Sequence, residues 1–425
     1  MISNQRSLFD IPDDVAYLNC AYLSPLMWSV VEAGHWGLRR KARPWEIEAK
    51  DFWEEPNRAR RLFAALINAD PEGVAVVPSA SYGMATAALN LPLGSGETVL
   101  VLADQFPSNV THWADLAAAN GAALVEVTRP SDNDWTPAIL EAINAGTRIV
   151  ALPNCHWTDG TLIDLGAVGT RCREVGAALA LDITQSAGAM AFDAGAVQPD
   201  FLVAAGYKWL MAPYSVGFLW VAPQHRAGKS LELGFIARAE HPRFKHLSNY
   251  DMPFEVAGHR FDVGESGNFA LMPAASAAME QLVEWGPALV QETLVAYTAP
   301  IADWARQRAM SLSVSGPVSY GSPRIFTIPR PIGCVYSTVS RRCLRRQGRR
   351  LHERGTPHSD YRGGQWHWRR TLPAHGGARH AFPSAHALQC PGCGDDGGGY
   401  SRGGWHGRHR ADRPGRGGRW TASGC

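Results

Sequence analysis

Seven short apolar runs between residues 73 and 223 constrain the fold of this chain more than any other feature. The runs are GVAVVPSA, TVLVLAD, AALVEVTR, RIVALPN, ALALDITQ, DFLVAAG and VGFLWVAP. Runs of this length and composition are typical of strands buried on both faces. Helix-like stretches lie between them, including YGMATAALNL, VTHWADLAAANG, TPAILEAINAG and LGAVGTRCREVG, the last two ending in glycine, a usual helix stop. The alternation predicts an α/β fold with a mostly parallel sheet that is covered on both faces.

The chain has 425 residues, which is long enough for two or three domains. Helical patterns return after the strand region, in ALMPAASAAMEQLVEWG and ALVQETLVAYTAPIADWARQRAM. We expect a large domain over 46–268 and the start of a smaller domain over 269–335. Residues 1–45 are expected to pack with the small domain, and 336–425 form a separate tail.

The N-terminal stretch MISNQRSLFDIPDDVAYLNC has no basic start followed by an apolar run, so it does not predict a signal peptide. No apolar run reaches the length of about 18 residues that a membrane span requires. The sequence therefore predicts a cytoplasmic protein, in which the eight cysteines would be free thiols.

The tail differs in composition from the rest of the chain. Residues 341–425 contain 17 Arg, no Lys and 5 acidic residues, although the whole chain has a net charge of only +2. The tail also lacks Val, Ile and Met. Without these side chains it cannot bury enough apolar surface to offset the entropy of ordering, so we predict disorder there.

Polar side chains follow three of the predicted strands, at the edge of a parallel sheet where ligands usually bind. The first group is Ser79 and Ser81, with Gly83 beside them, at a strand-to-helix turn. Hydroxyl groups and backbone N–H groups at a helix N-terminus can bind an anion such as phosphate. A plain helix N-cap is the alternative interpretation of the same motif.

The second and third strand ends carry charges. Asp182 follows the apolar run ALAL and needs a partner, because an unpaired buried charge is costly. A protonated ring nitrogen or a nearby arginine would serve. Lys208 lies one strand further on, in AAGYK, and a buried amine there would lose affinity for protons and become nucleophilic. An exposed loop lysine is the alternative. Together, lysine, aspartate and a phosphate-binding turn fit one cofactor, pyridoxal 5′-phosphate.

The chain resembles the class V aminotransferase family, a branch of fold-type I enzymes that includes cysteine desulfurases, kynureninases and isopenicillin epimerases. Matching stretches run from VAYLNCAYLSP (15–25) through RFDVGESGNF (260–269) into the helices near residue 310. The resemblance implies a seven-stranded, mostly parallel sheet domain, a smaller α+β domain that is incomplete in this chain, and a homodimer.

The resemblance also assigns residues to the cofactor. Lys208 would hold it as a Schiff base, Asp182 would face the pyridine nitrogen, and Gln185 would bond the pyridine hydroxyl. The family's lysine motif corresponds to Ala205-Gly206-Tyr207-Lys208, in which Tyr207 would reach the phosphate and Ala205 replaces a phosphate-binding serine.

Other positions follow the same resemblance. The turn Ser79-Ala80-Ser81 would bind the phosphate, and Phe106 would stack on the pyridine ring. Ser266 would reach the partner subunit's phosphate. Trp157 stands where the family often has asparagine, so it is either a cofactor contact or a packing residue. His156 is either structural or a base, and Cys20 and Cys155 are interpreted as small apolar residues.

Transamination of an amino acid is the function that the resemblance favours, with a kynureninase-like lyase, an epimerase and a C–S lyase or cysteine desulfurase as alternatives. A desulfurase needs a mobile cysteine on a loop of the small domain. Cys334 is the candidate before the tail, but PIGCVYSTV does not resemble the family's cysteine loops.

The tail has two competing explanations. One is a frameshift between about 329 and 341, since HALQCPGCGDD (386–396) can be encoded so that the next frame gives Met-His-Tyr-Asn, similar to the family's usual P-H-x-Y-N. The enzyme would then be catalytically impaired. The other is a basic segment that binds nucleic acid through arginine, glycine and aromatic residues, as in YSRGGWHGRHR.

Overall fold

The computed structural model of the chain describes residues 1–235, 238, 251, 253–308 and 339–340. The chain divides into two units, Met1–Glu353 and Arg354–Cys425, and all described residues belong to the first. The predictions for Cys334 and for the basic tail fall outside the described residues, and of the proposed frameshift region only 339–340 is described. The domain boundaries at 46, 269 and 336 stay predictions.

All seven predicted strands form one seven-stranded sheet. They are β2 (Val74–Val77), β3 (Thr98–Leu102), β4 (Ala123–Val127), β5 (Thr147–Pro153), β6 (Ala178–Asp182), β7 (Phe201–Ala205) and β8 (Gly217–Val221), in the spatial order β2-β8-β7-β6-β5-β3-β4. A short strand β1 (Val15–Ala16) pairs separately with β9 (Val339–Ser340). The predicted mixed α/β fold with a mostly parallel sheet is confirmed.

Strand β8 runs antiparallel to both of its neighbours, whereas β3 to β7 are parallel to one another. The reason lies in the connection between β7 and β8, residues 206–216. A connection of this length is shorter than the dozen or more residues that a parallel crossover needs. The loop that carries Lys208 is therefore a compact turn at the carboxyl end of β7.

Two layers of helices cover the sheet. Helices α3 (Ala80–Asn90) and α4 (Thr111–Asn120) bury one face, while α2 (Asp51–Leu66), α5 (Trp135–Ala142), α6 (Leu165–Val175) and α8 (Leu271–Trp285) bury the other. The remaining described α-helices are α1 (Trp28–Lys41), α7 (Ala194–Val197) and α9 (Pro287–Gln307). Alternate residues of each strand belong to the two cores, which is the pattern of a sheet buried on both sides.

The predicted glycine stop is correct for α6 but wrong for α5. Helix α6 ends at Gly176, whose φ of 74° is the left-handed conformation that glycine adopts easily. Helix α5 ends before Gly146, with Ile143 as its C-cap. The side chain of Asn144 accepts a hydrogen bond from the Gly146 N–H at 2.9 Å. This bond forms a turn after the helix, so Gly146 lies in the turn and not at the helix end.

Candidate active site

A cavity of about 250 Å³ lies at the carboxyl ends of the parallel strands, next to the N-terminus of α3. Its volume is near the lower end of ligand-binding pockets, which span roughly 300–1,000 Å³. Nine of the ten residues predicted for the site line this cavity, namely Ser79, Ala80, Ser81, Phe106, Trp157, Asp182, Gln185, Tyr207 and Lys208. The fold therefore brings together residues that lie up to 129 positions apart in the sequence.

Lys208 is buried, with 7% of its surface exposed, so the exposed-loop alternative is wrong. Burial lowers the pKa of its amine, and the charges of Asp182 and Cys155 oppose that shift. Its Nζ lies 5.4 Å from the centre of the Phe106 ring. Within the described part of the chain, no hydrogen bond or ion pair engages this Nζ. Such an amine is available for covalent chemistry.

Asp182 ends strand β6 and is also buried. Burial raises the pKa of its carboxyl group, while hydrogen bonds from Thr184 and the charge of Lys208 act in the opposite direction. Its Oδ1 accepts a hydrogen bond from the Thr184 N–H at 2.9 Å. No arginine of the described residues forms an ion pair with it. The carboxylate is therefore placed to receive a positively charged group of a ligand.

Gln185 follows on the same turn and holds the N-terminal segment. Its Nε2 donates to the carbonyl oxygen of Ala21 at 3.2 Å. Its Oε1 is buried and has no hydrogen-bond partner among the described residues. Because a buried acceptor without a partner is costly, this oxygen is a position where a ligand hydroxyl would be stabilised.

The turn at the start of α3 confirms the N-cap interpretation of Ser79, and phosphate binding by this turn stays a prediction. Its hydroxyl oxygen caps the helix by accepting from the Tyr82 N–H at 3.1 Å. The N–H groups of Ala80 and Ser81 point out of the first helical turn, where they have no partner within the helix. The turn that begins the helix therefore offers backbone donors of the kind that bind anions at helix N-termini.

Gly83 brings α3 close to the sheet. A side chain at this position would place its Cβ 2.6 Å from Cγ2 of Val203 on β7, which is shorter than real contacts. The glycine thus lets the first turn of α3 approach the strand that leads to Lys208. This explains why the motif has a glycine beside the two serines.

Phe106 and Trp157 stand at the mouth of the cavity, where their side chains are 38% and 41% exposed. Their rings meet edge to face with centroids 5.5 Å apart. The Trp157 indole N–H donates to the carbonyl oxygen of Asp104 at 2.6 Å. Trp157 therefore packs on the aromatic ring of Phe106 and also lines the cavity, so both of its predicted roles are compatible with the structure.

His156 is fully buried, and its contacts favour the structural interpretation. Its Nε2 lies 3.0 Å from the carbonyl oxygen of Ala103, so this nitrogen donates, and its Nδ1 lies 2.8 Å from Oγ1 of Thr158. Its ring stacks on Trp135 at 5.2 Å. Burial lowers the pKa of His156, and it is not among the residues lining the cavity.

Tyr207 is half-buried, and its ring packs on Tyr214 with centroids 4.6 Å apart. Burial raises the pKa of its hydroxyl. Its carbonyl oxygen accepts a hydrogen bond from the Ser24 N–H at 3.0 Å. The N-terminal segment is therefore attached to the lysine loop through Ser24 and to the aspartate turn through Gln185.

Ser266 is the predicted site residue that does not line the cavity. It is buried, and the nearby Asp262 forms an ion pair with Arg60 and accepts from the Val76 N–H at 2.9 Å. These contacts tie its segment to α2 and β2 within the same chain. A contact of Ser266 with a partner subunit stays a prediction.

Several lining residues were not predicted from the sequence. Gln105 joins the loop after β3 to β5, because its Nε2 donates to the carbonyl oxygens of Asn109 and Ala151. Tyr214 and Ser215 belong to the loop before β8, and Ser215 has a φ of 66°. Gln105 directly follows the run TVLVLAD, but neither it nor the two residues of the β8 loop carries a charge or belongs to a motif that would mark a site residue.

The thiols near the site are protonated. Burial raises the pKa of Cys155, which lines the cavity, to about 12, and that of Cys20 to about 11. Both are free cysteines, as predicted. The described residues contain no cluster of His, Cys, Asp and Glu that could hold a metal ion.

The arrangement fits pyridoxal 5′-phosphate. The unpaired Oε1 of Gln185 matches a ring hydroxyl, and the buried carboxylate of Asp182 matches a protonated ring nitrogen. The α3 terminus matches the phosphate, and the exposed face of Phe106 matches the aromatic ring. Lys208 supplies the amine for a covalent bond.

Comparison with known proteins shows the family to which the chain belongs. The family model for "Aminotransferase class-V" matches residues 43–284, more than half of the chain. No helix among the described residues is long and apolar enough to cross a membrane.

Individual relatives are distant. An "Uncharacterized aminotransferase YcbU" of Bacillus subtilis is 26% identical over 63% of this chain and 69% of its own length. A "Probable cysteine desulfurase" of Pyrococcus abyssi is 26% identical over 38% of this chain and 41% of its own length. A solved structure of a C-DES mutant with glycine covalently linked to the PLP cofactor has a TM-score of 0.65 at 18% identity, covering 72% of this chain and 81% of that one. The structural likeness supports the fold.

Proposed function

The chain belongs to the aminotransferase class-V family, and from this premise we propose that it transfers the amino group of an amino acid to a keto acid. Its cofactor is pyridoxal phosphate, as in the related structures. Lys208 would hold the cofactor covalently through Nζ. Asp182, Gln185, Phe106, Trp157 and Tyr207 would surround the ring, and the turn Ser79–Ser81 would bind the phosphate.

The observation that carries this proposal is the buried, unpaired amine of Lys208 in one cavity with the buried carboxylate of Asp182. Of the five lysines in the sequence, Lys41, Lys50 and Lys229 are exposed in the structure. A buried ammonium without a partner would be selected against unless it had a function. Burial also lowers the pKa of Lys208, which favours the neutral, nucleophilic amine.

When bound, pyridoxal phosphate supplies a cationic ring that withdraws electrons from the bonds at the α-carbon of an amino acid. The carboxylate of Asp182 would keep the proton on the ring nitrogen. The amino group of the substrate would take the place of Lys208 in the covalent bond, and the freed amine of Lys208 would then take the proton from the α-carbon and return it as an acid. The aromatic side chains at the mouth would exclude water from the reacting groups.

A lyase is the second candidate, favoured by the aromatic wall of Phe106, Trp157 and Tyr214, which suits a substrate with an apolar or aromatic side chain. Cysteine desulfurisation receives less support. Sulfur acceptance needs a thiolate, and the raised pKa values of Cys20 and Cys155 keep both thiols neutral near pH 7.

A substrate panel separates these activities. The purified full-length protein would be incubated with pyridoxal phosphate and with amino acid and keto acid pairs, with kynurenine and with cysteine. We expect amino transfer that requires the keto acid, and no sulfide release. The matched control is Lys208→Met, for which we expect no turnover. Sulfide release from cysteine by the wild-type protein, without amino transfer, would contradict the proposal.

The oligomeric state and the cellular location of the protein are also proposals. A homodimer is suggested by the family resemblance of RFDVGES (260–266), and a cytoplasmic location stays a prediction. The proposed ligands are amino acids and keto acids.

A further inference from the structure

His112 lies next to the anion-binding turn but was not identified by its sequence context. It belongs to the first turn of α4, and its Nε2 lies 2.9 Å from Oγ of Ser81. Ser81 lines the cavity, whereas His112 is outside the lining. His112 can therefore affect a ligand in the cavity through the Ser81 hydroxyl.

The direction of this hydrogen bond decides what Ser81 offers to the cavity. A hydroxyl group has one hydrogen to donate and lone pairs that accept. If Ser81 donates to a bare Nε2, its lone pairs remain for the ligand and would repel a phosphate. If Nε2–H donates to Ser81, the hydroxyl hydrogen is free to bond an anionic oxygen, and such charge-assisted bonds are the stronger kind.

Ser79, two residues earlier, also has a hydroxyl oxygen that accepts a hydrogen bond from within the protein. Its Oγ accepts from the Tyr82 N–H at 3.1 Å, which leaves its own hydrogen free for the cavity. With a donating His112, both serine hydroxyls join the N–H groups of the first helical turn as donors. The turn would then present donors alone to a phosphate.

The position of His112 is set by packing. The next residue, Trp113, is fully buried, and its indole N–H donates to Oδ1 of Asn109 at 2.9 Å. This anchor fixes the first turn of α4 against the loop that carries Phe106. The imidazole therefore meets Ser81 without having to reorganise when a ligand binds.

Building on the function proposed above, we propose that His112 is a positioning residue for the cofactor phosphate. Its Nε2–H donates to Ser81 and directs the Ser81 hydroxyl hydrogen toward the phosphate. This hydrogen bond would strengthen binding of pyridoxal 5′-phosphate but not of pyridoxal, because pyridoxal has no phosphate oxygen to accept the hydrogen.

The test compares dissociation constants of pyridoxal 5′-phosphate and of pyridoxal for the full-length protein, measured by absorbance titration. We expect His112→Phe, which keeps a ring but cannot donate, to weaken pyridoxal phosphate binding roughly tenfold. Pyridoxal binding should not change. His112→Gln should recover most of the loss, because its amide nitrogen can donate. Asp115→Ala, an exposed change one turn further along α4, is the matched control.

A double-mutant cycle tests whether the effect passes through Ser81. In a Ser81→Ala background, His112→Phe should cause no further loss. Equal losses for both vitamers, an additive effect in that background, or no loss at all would overturn the assignment of His112. If the wild-type protein binds neither vitamer, the proposed function itself fails, and the inference fails with it.

Discussion

Lys208 and Asp182 are two buried charged residues whose burial works against the stability of the folded chain. For each of them the burial cost is the largest influence on the pKa, larger than their attraction for one another. Natural proteins keep such residues where function requires them, at a cost in stability. The apoprotein should therefore become more stable when either charge is removed.

Lys208→Met is expected to raise the free energy of unfolding of the apoprotein by about 1–2 kcal/mol at pH 7. The pKa of Lys208 is lower in the folded state than in the unfolded state, so the wild-type protein regains stability as the pH rises toward about 10.4. The advantage of the variant should shrink over that range. Denaturant unfolding at a series of pH values measures it, with the exposed Lys229→Met as control.

Asp182→Asn should show the opposite pH dependence. The pKa of Asp182 is raised by folding, so the charged form is penalised near neutral pH and the penalty disappears as the pH falls toward about 3.9. The advantage of the variant, also about 1–2 kcal/mol at pH 7, should therefore shrink on acidification. A variant advantage that grows on acidification would show that the carboxylate is stabilised by a partner in the apoprotein.

The sequence predicts the site residues that directly follow an apolar strand, because strand ends can be located from hydrophobicity alone. Asp182, Lys208 and Ser79 are in this class. His112 is not, because its role depends on how closely α3 and α4 approach each other, and no local pattern reports that distance. The burial of Lys208 was likewise decided by tertiary packing, since a short loop can turn a lysine inward or outward even beside apolar neighbours such as Trp209 and Leu210.

At the scale of elements, the first turn of α3 carries two functions in one serine. Ser79 caps the helix and stands at the edge of the cavity. These functions can be separated by choosing a side chain that caps equally well but carries a negative charge.

Ser79→Asp should retain the stability of the apoprotein, because aspartate is as good an N-cap as serine, whereas Ser79→Ala should lose about 1 kcal/mol. The added carboxylate should weaken binding of pyridoxal phosphate by at least about tenfold through charge repulsion. Binding of pyridoxal should be retained. Thermal unfolding and absorbance titration give the two readouts, and undiminished phosphate-vitamer affinity in Ser79→Asp would place the phosphate elsewhere.

All seven strands of the main sheet could be predicted, since each is a short apolar run bounded by polar residues. The spatial order of the strands could not, because it depends on pairings between segments far apart in the chain, such as β2 with β8. The antiparallel direction of β8 follows from the length of loop 206–216, a signal that the apolar pattern does not contain.

At the scale of the whole molecule, nine of the ten residues proposed to bind the cofactor line one cavity, whereas the groups that choose the substrate have not been located among the described residues. The lining of the cavity includes no arginine to bind a substrate carboxylate among the described residues. Cofactor binding and turnover are therefore separate questions for this protein.

The function of residues 336–425 does not follow from their sequence. Their composition is compatible with a changed reading frame or with a basic segment that binds nucleic acid, and composition alone does not separate the two. Neither explanation alters the residues of the cavity, which all lie between 78 and 215. The cofactor can thus be tested on the full-length chain whatever the origin of the tail.

The most direct test is to locate the covalent bond between the chain and its cofactor. The full-length protein would be incubated with pyridoxal phosphate, reduced with borohydride to make the linkage permanent, digested and analysed by mass spectrometry. With five lysines in the chain, the assignment is unambiguous. We predict a phosphopyridoxyl group on Lys208 and its loss in Lys208→Met. Modification of another lysine in preference to Lys208, or no modification at all, would contradict the account.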